Sequence, residues 1–512
     1  MKLNAQRTCL DSPERLLSLD PHHPGNTTES VRRHLLETEQ RLIRANFAVK
    51  RQLNICTPIG RLTDELIVEI LRYCKSFVDD DLPKSSRKGI RIPYAYLLCS
   101  RWRAVATNAS CLWSEISLPM PANLFALFLE RSKQSSLRIK LSNTDMLSDK
   151  DPTIGATGNA LRQVIPRVSQ LHIDWDPMHT RGLGNFLVQY VGEAEFATLK
   201  TLHIRAHTTS WGRKEEIYTL NTPRLRDVVL TGPFQFAPLS PVESLTTLRW
   251  NTNGNTLSFT PLFKMLSHFP SIEQCDVIGH PLTSAVPSDI PNLSLKNLKR
   301  FSLSIIYLSQ LRDTIGRLGC PDSLSISAKI YKADPAAVAL ADFLGPYMST
   351  SDEFKIVKRD DQAVYTLISK TGREIEITHL DVIPFAWSDP AALKLTALNL
   401  PKLASYPSNL SHLHLQTDSL PSTQDLIRTL SAWALISSIR VQTDESNFGK
   451  LLTALENAPE LICPLLKILD CTGTKVCSTR IAPFLAIRKR MGAPLDEFRI
   501  AADCVVVLEY SG

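Results

Sequence analysis

A short apolar pattern recurs through most of the chain and limits the folds that it can adopt. In each copy two apolar residues flank one residue that is almost always polar, as in Leu202-His-Ile204, and a further apolar residue stands three positions earlier. Alternation with a period of two is typical of a β-strand with one buried face. Pro321 is the one break in the leading position. The copies begin their apolar pairs at Leu171, Leu202, Val228, Leu248, Cys275, Phe301, Leu324, Leu413, Ile439 and Leu469.

The copies are spaced regularly, and helix-like segments lie between them. Successive pairs start 31, 26, 20, 27, 26 and 23 residues apart up to Leu324, and 26 and 30 residues apart after Leu413. The segments 183–194, 261–269, 309–318, 425–434 and 448–457 predict helices. A strand and a helix that alternate at this period, with an L-x-x-L-x-L skeleton, resemble a degenerate leucine-rich repeat. The resemblance implies an α/β solenoid over residues 119–512, an irregular horseshoe with a curved parallel sheet.

The residues on either side of the first apolar strand position are polar in nearly every copy, with Val229 and Ile468 as exceptions. Because neighbouring side chains point to opposite faces of a strand, these polar residues should share the open face of the sheet. We expect this concave face to bind a protein substrate whose identity the sequence does not reveal. The candidate binding residues are His172, His203, Arg249, Asp276, Arg300, His412, His414 and Arg440.

The regular spacing fails between Leu324 and Leu413. Three short alternating segments, 354–356, 364–368 and 375–377, are separated there by polar, turn-forming stretches. Such alternation between short turns is typical of antiparallel strands. We therefore predict a small antiparallel β insertion near residues 352–383, within the repeats.

A different pattern, with the period of a helix, occupies residues 58–118. Two sets of apolar residues recur at helical spacing, the first from Leu62 to Tyr73 and the second from Leu98 to Val105. Thr63 or Asp64 can cap the first helix. On periodicity alone, this segment is an ordinary helical hairpin that packs on the rest of the chain.

The residues themselves add a resemblance. The segments Pro58-Ile-Gly-Arg-Leu-Thr-Asp-Glu-Leu-Ile-Val-Glu-Ile-Leu71 and Leu98-Cys-Ser-Arg-Trp-Arg103, followed by Leu112-Trp113, resemble an F-box. The likeness extends over about residues 29–141 and is to the F-box-like proteins of mushroom-type fungi. An F-box implies a small all-α module over residues 55–118 that binds the Skp-type adaptor of a cullin–RING ubiquitin ligase. The adaptor-binding residues that it implies are Pro58, Leu62, Leu66, Ile70, Leu71, Leu98, Trp102, Leu112 and Trp113.

Two departures from that family leave an alternative open. Thr63 stands where the family usually has proline, and residues 75–95 form a basic insertion that we predict to be a solvated loop. The first hypothesis is a substrate-recognition subunit of a Skp–cullin–F-box ligase. The alternative is a protein-interaction scaffold that binds through its repeats and has no link to the ligase.

The segment before the F-box-like module changes character at about residue 29. Residues 1–28 are polar and predict a disordered tail, whereas residues 29–54 predict an amphipathic helix. Leu35, Leu42 and Val49 lie seven residues apart on that helix, a spacing that is also found in coiled coils. Packing beside the F-box-like module is the simpler explanation of the stripe.

Composition excludes several other classes of protein. The 11 cysteines include no Cys-x-x-Cys pair, so we expect no disulfide framework or zinc site and a cytoplasmic or nuclear location. A net charge of +7 is mild for 512 residues, and no apolar run has the length of a membrane span. We expect neither a nucleic-acid nor a membrane partner.

Motifs for catalysis or cofactor binding are missing from the sequence, so we expect a non-enzymatic protein with no cofactor and no metal. His412 and His414 could hold a metal, but polar strand positions explain them without one. The basic runs 84–91 and 488–490 could act as nuclear-import signals, although each is short.

Overall fold

Helices build the first part of the chain, and a long β-sheet dominates the rest. The computed structural model describes residues 28–80, 99–143, 152–175, 183–206, 216–232, 234–252, 259–282, 287, 290–305, 307–330, 340–359, 362–380, 400–456, 460–474, 478–501 and 504–507. The chain divides into a helical unit, residues 1–114 with 126–133, and a sheet unit, residues 115–125 with 134–512.

The helical unit contains three complete helices among its described residues. These are α1 (Thr28–Cys56), α2 (Asp64–Asp80) and α3 (Ser100–Asn108), with 3-10 turns at Ile59–Arg61 and Ser110–Leu112. The following helix, α4 (Ala122–Ser132), lies partly in this unit, through residues 126–132. At the start of α2 the Thr63 hydroxyl accepts the N–H of Leu66 at 3.5 Å, and two acidic residues occupy the first turn. Their negative charge is favourable at the positive end of the helix dipole.

Apolar side chains from α2, α3 and α4 form the core of the helical unit. Trp113 lies at its centre, with a side chain 2% exposed. Its indole N–H donates to the Ala106 carbonyl at 2.6 Å, so the buried polar group is satisfied. Phe128 meets the indole edge-on at 5.1 Å between ring centroids, and the Arg131 guanidinium lies 4.4 Å above it. The other core residues are Ile67, Leu71, Trp102, Val105, Ala106 and Leu112.

Two expectations about this unit are wrong. Helix α2 continues to Asp80, so the first six residues of the supposed loop 75–95 are helical. Residues 81–95 of that loop and residues 1–27 of the predicted tail lie outside the described residues. Helix α1, expected to pack beside the module, buries none of its side chains in the part of the chain that the structure describes.

The sheet unit alternates strands with helices. Its first strands are β1 (Glu115–Leu118), β2 (Leu137–Ser142), β3 (Val168–Trp175), β4 (Thr201–Ala206), β5 (Glu216–Tyr218), β6 (Asp227–Thr231), β7 (Phe234–Phe236), β8 (Thr247–Asn251), β9 (Gln274–Leu282) and β10 (Arg300–Ile305). Then come β11 (Ser325–Ile330), β12 (Glu353–Arg359), β13 (Gln362–Ile368), β14 (Glu374–Leu380), β15 (His412–Gln416), β16 (Ser438–Gln442), β17 (Ile468–Asp470), β18 (Glu497–Ala501) and β19 (Cys504–Val507).

Its helices are α5 (Pro152–Val164), α6 (Leu183–Tyr190), α7 (Phe259–Leu266), α8 (Leu308–Leu318), α9 (Leu340–Met348), α10 (Leu400–Leu403), α11 (Thr423–Ala432), α12 (Glu445–Glu456) and α13 (Ser478–Arg490). Five of these, α6, α7, α8, α11 and α12, overlap the five segments that the sequence predicts to be helical. Several consecutive helices also contact each other, for example α10 with α11 and α11 with α12.

Seventeen strands of the described residues form one open sheet, and β5 pairs with β7 in a separate parallel ribbon. From β1 to β11 each strand of the large sheet pairs in parallel with the next one along the chain. The same holds from β15 to β18. Because neighbouring strands run parallel, each connection must return the chain to the end of the sheet at which the strands begin.

Between these two runs lies an antiparallel insertion whose strands appear in reversed order. Strand β11 pairs with β14, β14 with β13, β13 with β12, and β12 with β15. Of these contacts only β14–β13 and β13–β12 are antiparallel, so β13 alone runs against its neighbours there. The insertion therefore continues the parallel sheet on both sides.

The pairing register of the strands aligns their apolar residues in a row across the sheet. The first apolar position forms one row that includes Ile139, Leu171, Leu202, Val228, Leu248, Cys275, Phe301, Leu413, Ile439 and Leu469. In β11 the residue in this row is Ile326, paired with Phe301, whereas the sequence pattern placed Leu324 there. That copy was therefore assigned two residues too early.

A buried arginine connects the last described helix, α13, to the loop between α12 and β17. The side chain of Arg488 on α13 is fully buried. Its Nη1 donates to the Ile462 carbonyl at 2.8 Å and its Nη2 to the Cys463 carbonyl at 3.1 Å. A residue held in this way cannot serve in an exposed import signal, so that interpretation of residues 488–490 is wrong. The other basic run, 84–91, lies outside the described residues.

We expect Arg488→Ala to lower the free energy of unfolding by about 2–4 kcal/mol, because it removes the guanidinium donors of two carbonyls and opens a cavity. The Cys463 carbonyl then keeps only the N–H of Leu466. The exposed Arg490 on the same helix provides the control, and Arg490→Ala should change stability by less than about 0.5 kcal/mol. Urea unfolding followed by circular dichroism measures both. Equal stability of the two variants would contradict this role of Arg488.

Candidate functional site

The structure divides the predicted adaptor-binding residues into buried and exposed groups. Leu71, Trp102, Leu112 and Trp113 are at most 4% exposed and belong to the core of the helical unit. Their interpretation as contact residues is therefore wrong, since they support the surface from beneath. Leu98 lies outside the described residues.

The remaining predicted residues lie at the surface of α2 and of the turn before it. Leu66 is 51% exposed, Leu62 and Ile70 are half-buried, and Pro58 is exposed. Tyr73, one turn beyond Ile70, is 67% exposed and extends the same face, although it was absent from the predicted set. We call Leu62, Leu66, Ile70 and Tyr73 the α2 stripe. The adjacent side of the helix, about 100° around its axis, buries Ile67 and Leu71.

Arg101 holds the turn before α2 in place. From α3 its guanidinium donates to the carbonyls of Gly60 and Leu62, both at 2.6 Å, and to the Asp64 carboxylate at 2.8 Å. The turn itself is close-packed, because a Cβ at Gly60 would overlap the Asn54 carbonyl oxygen. Arg101 was part of the quoted motif but not of the predicted site. Its role is to position Leu62 and the start of the α2 stripe.

The second candidate surface is the open face of the large sheet. One row of side chains crosses this face through paired positions, and we call it the central row. Six of the eight predicted binding residues lie in it, and the other two, Arg300 and His412, lie in the adjacent row two positions earlier. The central row runs Ser117, Lys140, His172, His203, Val229, Arg249, Asp276, Ser302, Ser327, Glu376, Thr366, Lys355, His414, Arg440, Asp470 and Arg499.

The predicted residues do not form one site. Six strand steps separate Asp276 on β9 from His414 on β15, which is about 29 Å along the sheet at about 4.8 Å per step. We therefore distinguish a β2–β9 cluster around His172 from a β12–β18 cluster around Asp470. A partner that contacts both clusters must be extended or large.

The β2–β9 cluster centres on two adjacent histidines whose rings are tilted by 59°. The rings of His172 and His203 on adjacent strands lie 5.6 Å apart between centroids. Burial lowers the pKa of His172, and the charge of His203 lowers it further. Burial also lowers the pKa of His203, against the influence of Asp227. Both imidazoles are therefore neutral at pH 7 and available as hydrogen-bond donors and acceptors.

Ion pairs border the two histidines. On one side the Lys140 ammonium lies 2.9 Å from the Glu115 carboxylate, and on the other Arg249 lies 3.6 Å from Asp276. All four side chains lie on the open face, and each pair joins neighbouring strands. The cluster thus has a neutral centre and a charged border.

The β12–β18 cluster is a chain of ion pairs around Asp470. The Asp470 carboxylate lies 3.7 Å from Arg440 and 3.8 Å from Arg499, and Arg499 also binds Glu497 at 2.7 Å. Burial raises the pKa of Asp470, but hydrogen bonds from Thr472 and the two arginines outweigh it, so the pKa lies below its ordinary value. Neighbouring His414 has a lowered pKa because of burial and the charges of Arg440 and Lys355.

Sequence reasoning missed several members of these clusters. Lys140 and Arg499 follow the first apolar residue in Ile139-Lys-Leu141 and Phe498-Arg-Ile500, so the pattern that identified the other copies was present. Lys355 was hidden in the segment predicted as an insertion, whose strands β12 and β14 continue the central row. Asp470 was recognised as polar but was not chosen as a binding residue.

His412 and His414 do not gather further ligands. His412 Nε2 lies 4.0 Å from Asp352, and within the described ranges no three histidine, cysteine, aspartate or glutamate side chains form a group that could hold a metal. In the same part of the chain, no helix combines the length and apolarity that crossing a bilayer requires.

Comparison with known proteins finds no protein family whose model matches this chain and no curated protein that resembles it.

The lowered pKa values of His172 and His203 predict a pH dependence of stability. Because both pKa values lie below the ordinary value of about 6.5, the unfolded chain binds more protons than the folded chain just below that pH. Stability should be complete above about pH 6.5 and decrease as the pH falls below it. The variant His172→Gln/His203→Gln should lose less stability between about pH 7.5 and about pH 5.5 than the parent chain.

Urea midpoints at the two pH values measure the effect. His34→Gln, on exposed α1, is the control and should retain the dependence of the parent chain. An unchanged dependence in the double variant would show that these histidines do not cause it.

Proposed function

We propose that this protein is the substrate-recognition subunit of a Skp–cullin–F-box ubiquitin ligase. The helical unit binds a Skp-type adaptor, and the sheet unit, a degenerate leucine-rich-repeat solenoid, binds a protein substrate. The observation that carries the proposal is the α2 stripe, an exposed apolar face on a segment whose residues resemble an F-box. Exposed apolar patches on a supported helix are typical of docking surfaces.

The architecture of the helical unit supports adaptor binding. The α2 stripe is backed by Ile67 and Leu71 in the core, and Arg101 fixes the turn that presents Leu62. A surface that is already ordered loses little conformational entropy on binding. Pro58 and Ile59, both exposed, extend the apolar surface at the start of the module.

Substrate binding is supported by the open face of the sheet unit. Its two charged clusters offer hydrogen-bond donors and acceptors along a row of 16 paired strand positions. Charges arranged in this way select partners by complementarity. We propose a cytoplasmic or nuclear location, where thiols such as those of the exposed Cys56 and Cys111 stay reduced. The protein itself is proposed to have no enzymatic activity and no cofactor.

The alternative is a scaffold that binds proteins through the sheet unit and has no ligase partner. Thr63 favours it, because this residue caps α2 where the F-box family usually has proline. The extension of α2 to Asp80 favours it as well, since the insertion lengthens the helix that would face an adaptor. Adaptor binding distinguishes the two functions directly.

Truncating the apolar side chains of the α2 stripe should weaken adaptor binding. Leu66→Ala and Ile70→Ala should each weaken binding of a purified Skp-type adaptor by about 1.5–3 kcal/mol, roughly 10- to 150-fold, because each truncates an apolar side chain at the proposed interface. Isothermal titration calorimetry with the full chain measures the affinity.

Val68→Ala is the matched control, since Val68 lies on the same helix away from the stripe and is half-buried. It should leave the affinity within about threefold. Unweakened adaptor binding by a folded Leu66→Ala/Ile70→Ala double variant would contradict the assigned interface. A parent chain that fails to bind adaptor would favour the scaffold.

Removing arginine charges from the open face should weaken substrate binding and leave adaptor binding unchanged. Arg249→Ala removes the ion pair with Asp276, and Arg440→Ala removes one of the two arginines that pair with Asp470. Combined, they should reduce co-purification of substrate proteins several-fold when the proteasome is inhibited, as measured by quantitative mass spectrometry. Ser302→Ala, also in the central row, is the neutral control. An unchanged set of bound proteins would show that the substrate binds elsewhere.

A further inference from the structure

Helix α1 is long and lacks a partner within the described residues. It runs for 29 residues, about 44 Å at 1.5 Å per residue, and buries none of its side chains. Eight large apolar side chains on it are between 46% and 62% exposed. They are Leu35, Leu36, Leu42, Ile43, Phe47, Val49, Leu53 and Ile55.

Four of these eight residues lie along one side of the helix, namely Leu35, Leu42, Val49 and Leu53, and the other four lie on other sides. Leu35, Leu42 and Val49 repeat every seven residues, and Val31 and Leu53 lie on the same side. Thr38, Ala45 and Gln52 fill the alternate positions of the heptad. We call these residues the α1 seam. An apolar seam of this period fits another helix, because a partner helix contacts two positions in every seven.

We propose that the α1 seam is covered by α1 of a second copy of this chain, with the two helices antiparallel. The proposal is independent of adaptor binding. Its first support is the size of the seam side chains. In a parallel pair, equivalent positions meet, so the large Leu42 would face itself and the small Ala45 would face itself. In an antiparallel pair the two classes meet, and large side chains pack against small ones, as interdigitating layers require.

Charge gives the second support. Residues 28–40 of α1 contain three glutamates and two arginines, whereas residues 41–56 contain three arginines and one lysine and no acidic residue. A parallel pair would bring the two basic halves together. An antiparallel pair sets each basic half against the half that carries the glutamates, which is attractive.

The size of the seam sets the expected strength. A strip about 44 Å long and about 10–12 Å wide on each copy buries on the order of 1,000 Å² in total, the lower end of specific interfaces. Association should therefore depend on protein concentration within the micromolar range. Sedimentation of the full chain should show a monomer–dimer equilibrium.

Leu42→Glu tests the seam, and Gln40→Glu is its control, because the same charge is placed on the opposite side of the helix. Leu42→Glu should raise the dimer dissociation constant at least about tenfold, whereas Gln40→Glu should change it less than about threefold. Both positions are exposed, so the fold of the chain should persist, and circular dichroism verifies this. Equal effects of the two variants, or a parent chain that remains monomeric at every concentration, would overturn the proposal.

Orientation is tested by Arg41→Glu/Lys50→Glu, which brings the basic half of α1 to zero net charge. In the antiparallel dimer this variant loses the attraction between unlike halves and should dissociate more readily. Raising the salt concentration should also weaken the parent dimer, because salt screens that attraction. A dimer that tightens in the variant or in salt would show that like halves meet, and would overturn the antiparallel arrangement.

Discussion

In-register parallel pairing of short strands is the constraint on which the sheet unit depends. Successive side chains of a strand point to opposite faces, so a slip of one residue would move every apolar side chain to the open face. The apolar row from Ile116 on β1 to Phe498 on β18 stays in register, and the register shifts at Leu137/Arg138 and Leu303/Ile305 lie outside that row. The residues of that row are buried, so they form a continuous apolar surface on the face of the sheet that lies opposite the open face.

The same register creates the chemistry of the open face. Strand spacing of about 4.8 Å brings neighbouring side chains in the central row within reach of each other. Opposite charges in that row form pairs, as in Arg440 with Asp470 and Asp470 with Arg499. Where two bases meet, at His172 and His203, burial keeps the pKa values low and both rings neutral, which removes the repulsion. Charge on this face is therefore largely balanced between neighbouring strands.

Sequence reasoning located most strands of the parallel runs because their period of two is strong, and it failed where the pattern admits more than one solution. Leu324 was placed in the apolar row because Leu324-Ser-Ile326 and Ile326-Ser-Ala328 satisfy the same pattern, and only pairing with Phe301 decides between them. The reversed order of β12, β13 and β14 is likewise invisible, since β12 and β14 carry equivalent alternation. In the helical unit, the resemblance to an F-box singled out Leu112 and Trp113 but could not show that they are buried. The remaining expectations about family, substrate and ligase partner stay predictions.

The two exposed stripes of the helical unit differ in what stabilises their helices. Helix α2 is held by a buried face that includes Ile67 and Leu71, so its stripe is ordered whether or not a partner is bound. Helix α1 has no buried face. Helices in proteins gain most of their stability from packing, so α1 lacks this contribution within the described residues of a single chain. Covering the α1 seam therefore stabilises the helix itself as well as the contact, and formation of the helix and of the interface should be coupled. The stripe on α2 is a preformed surface, whereas α1 should gain helical stability when its seam is covered.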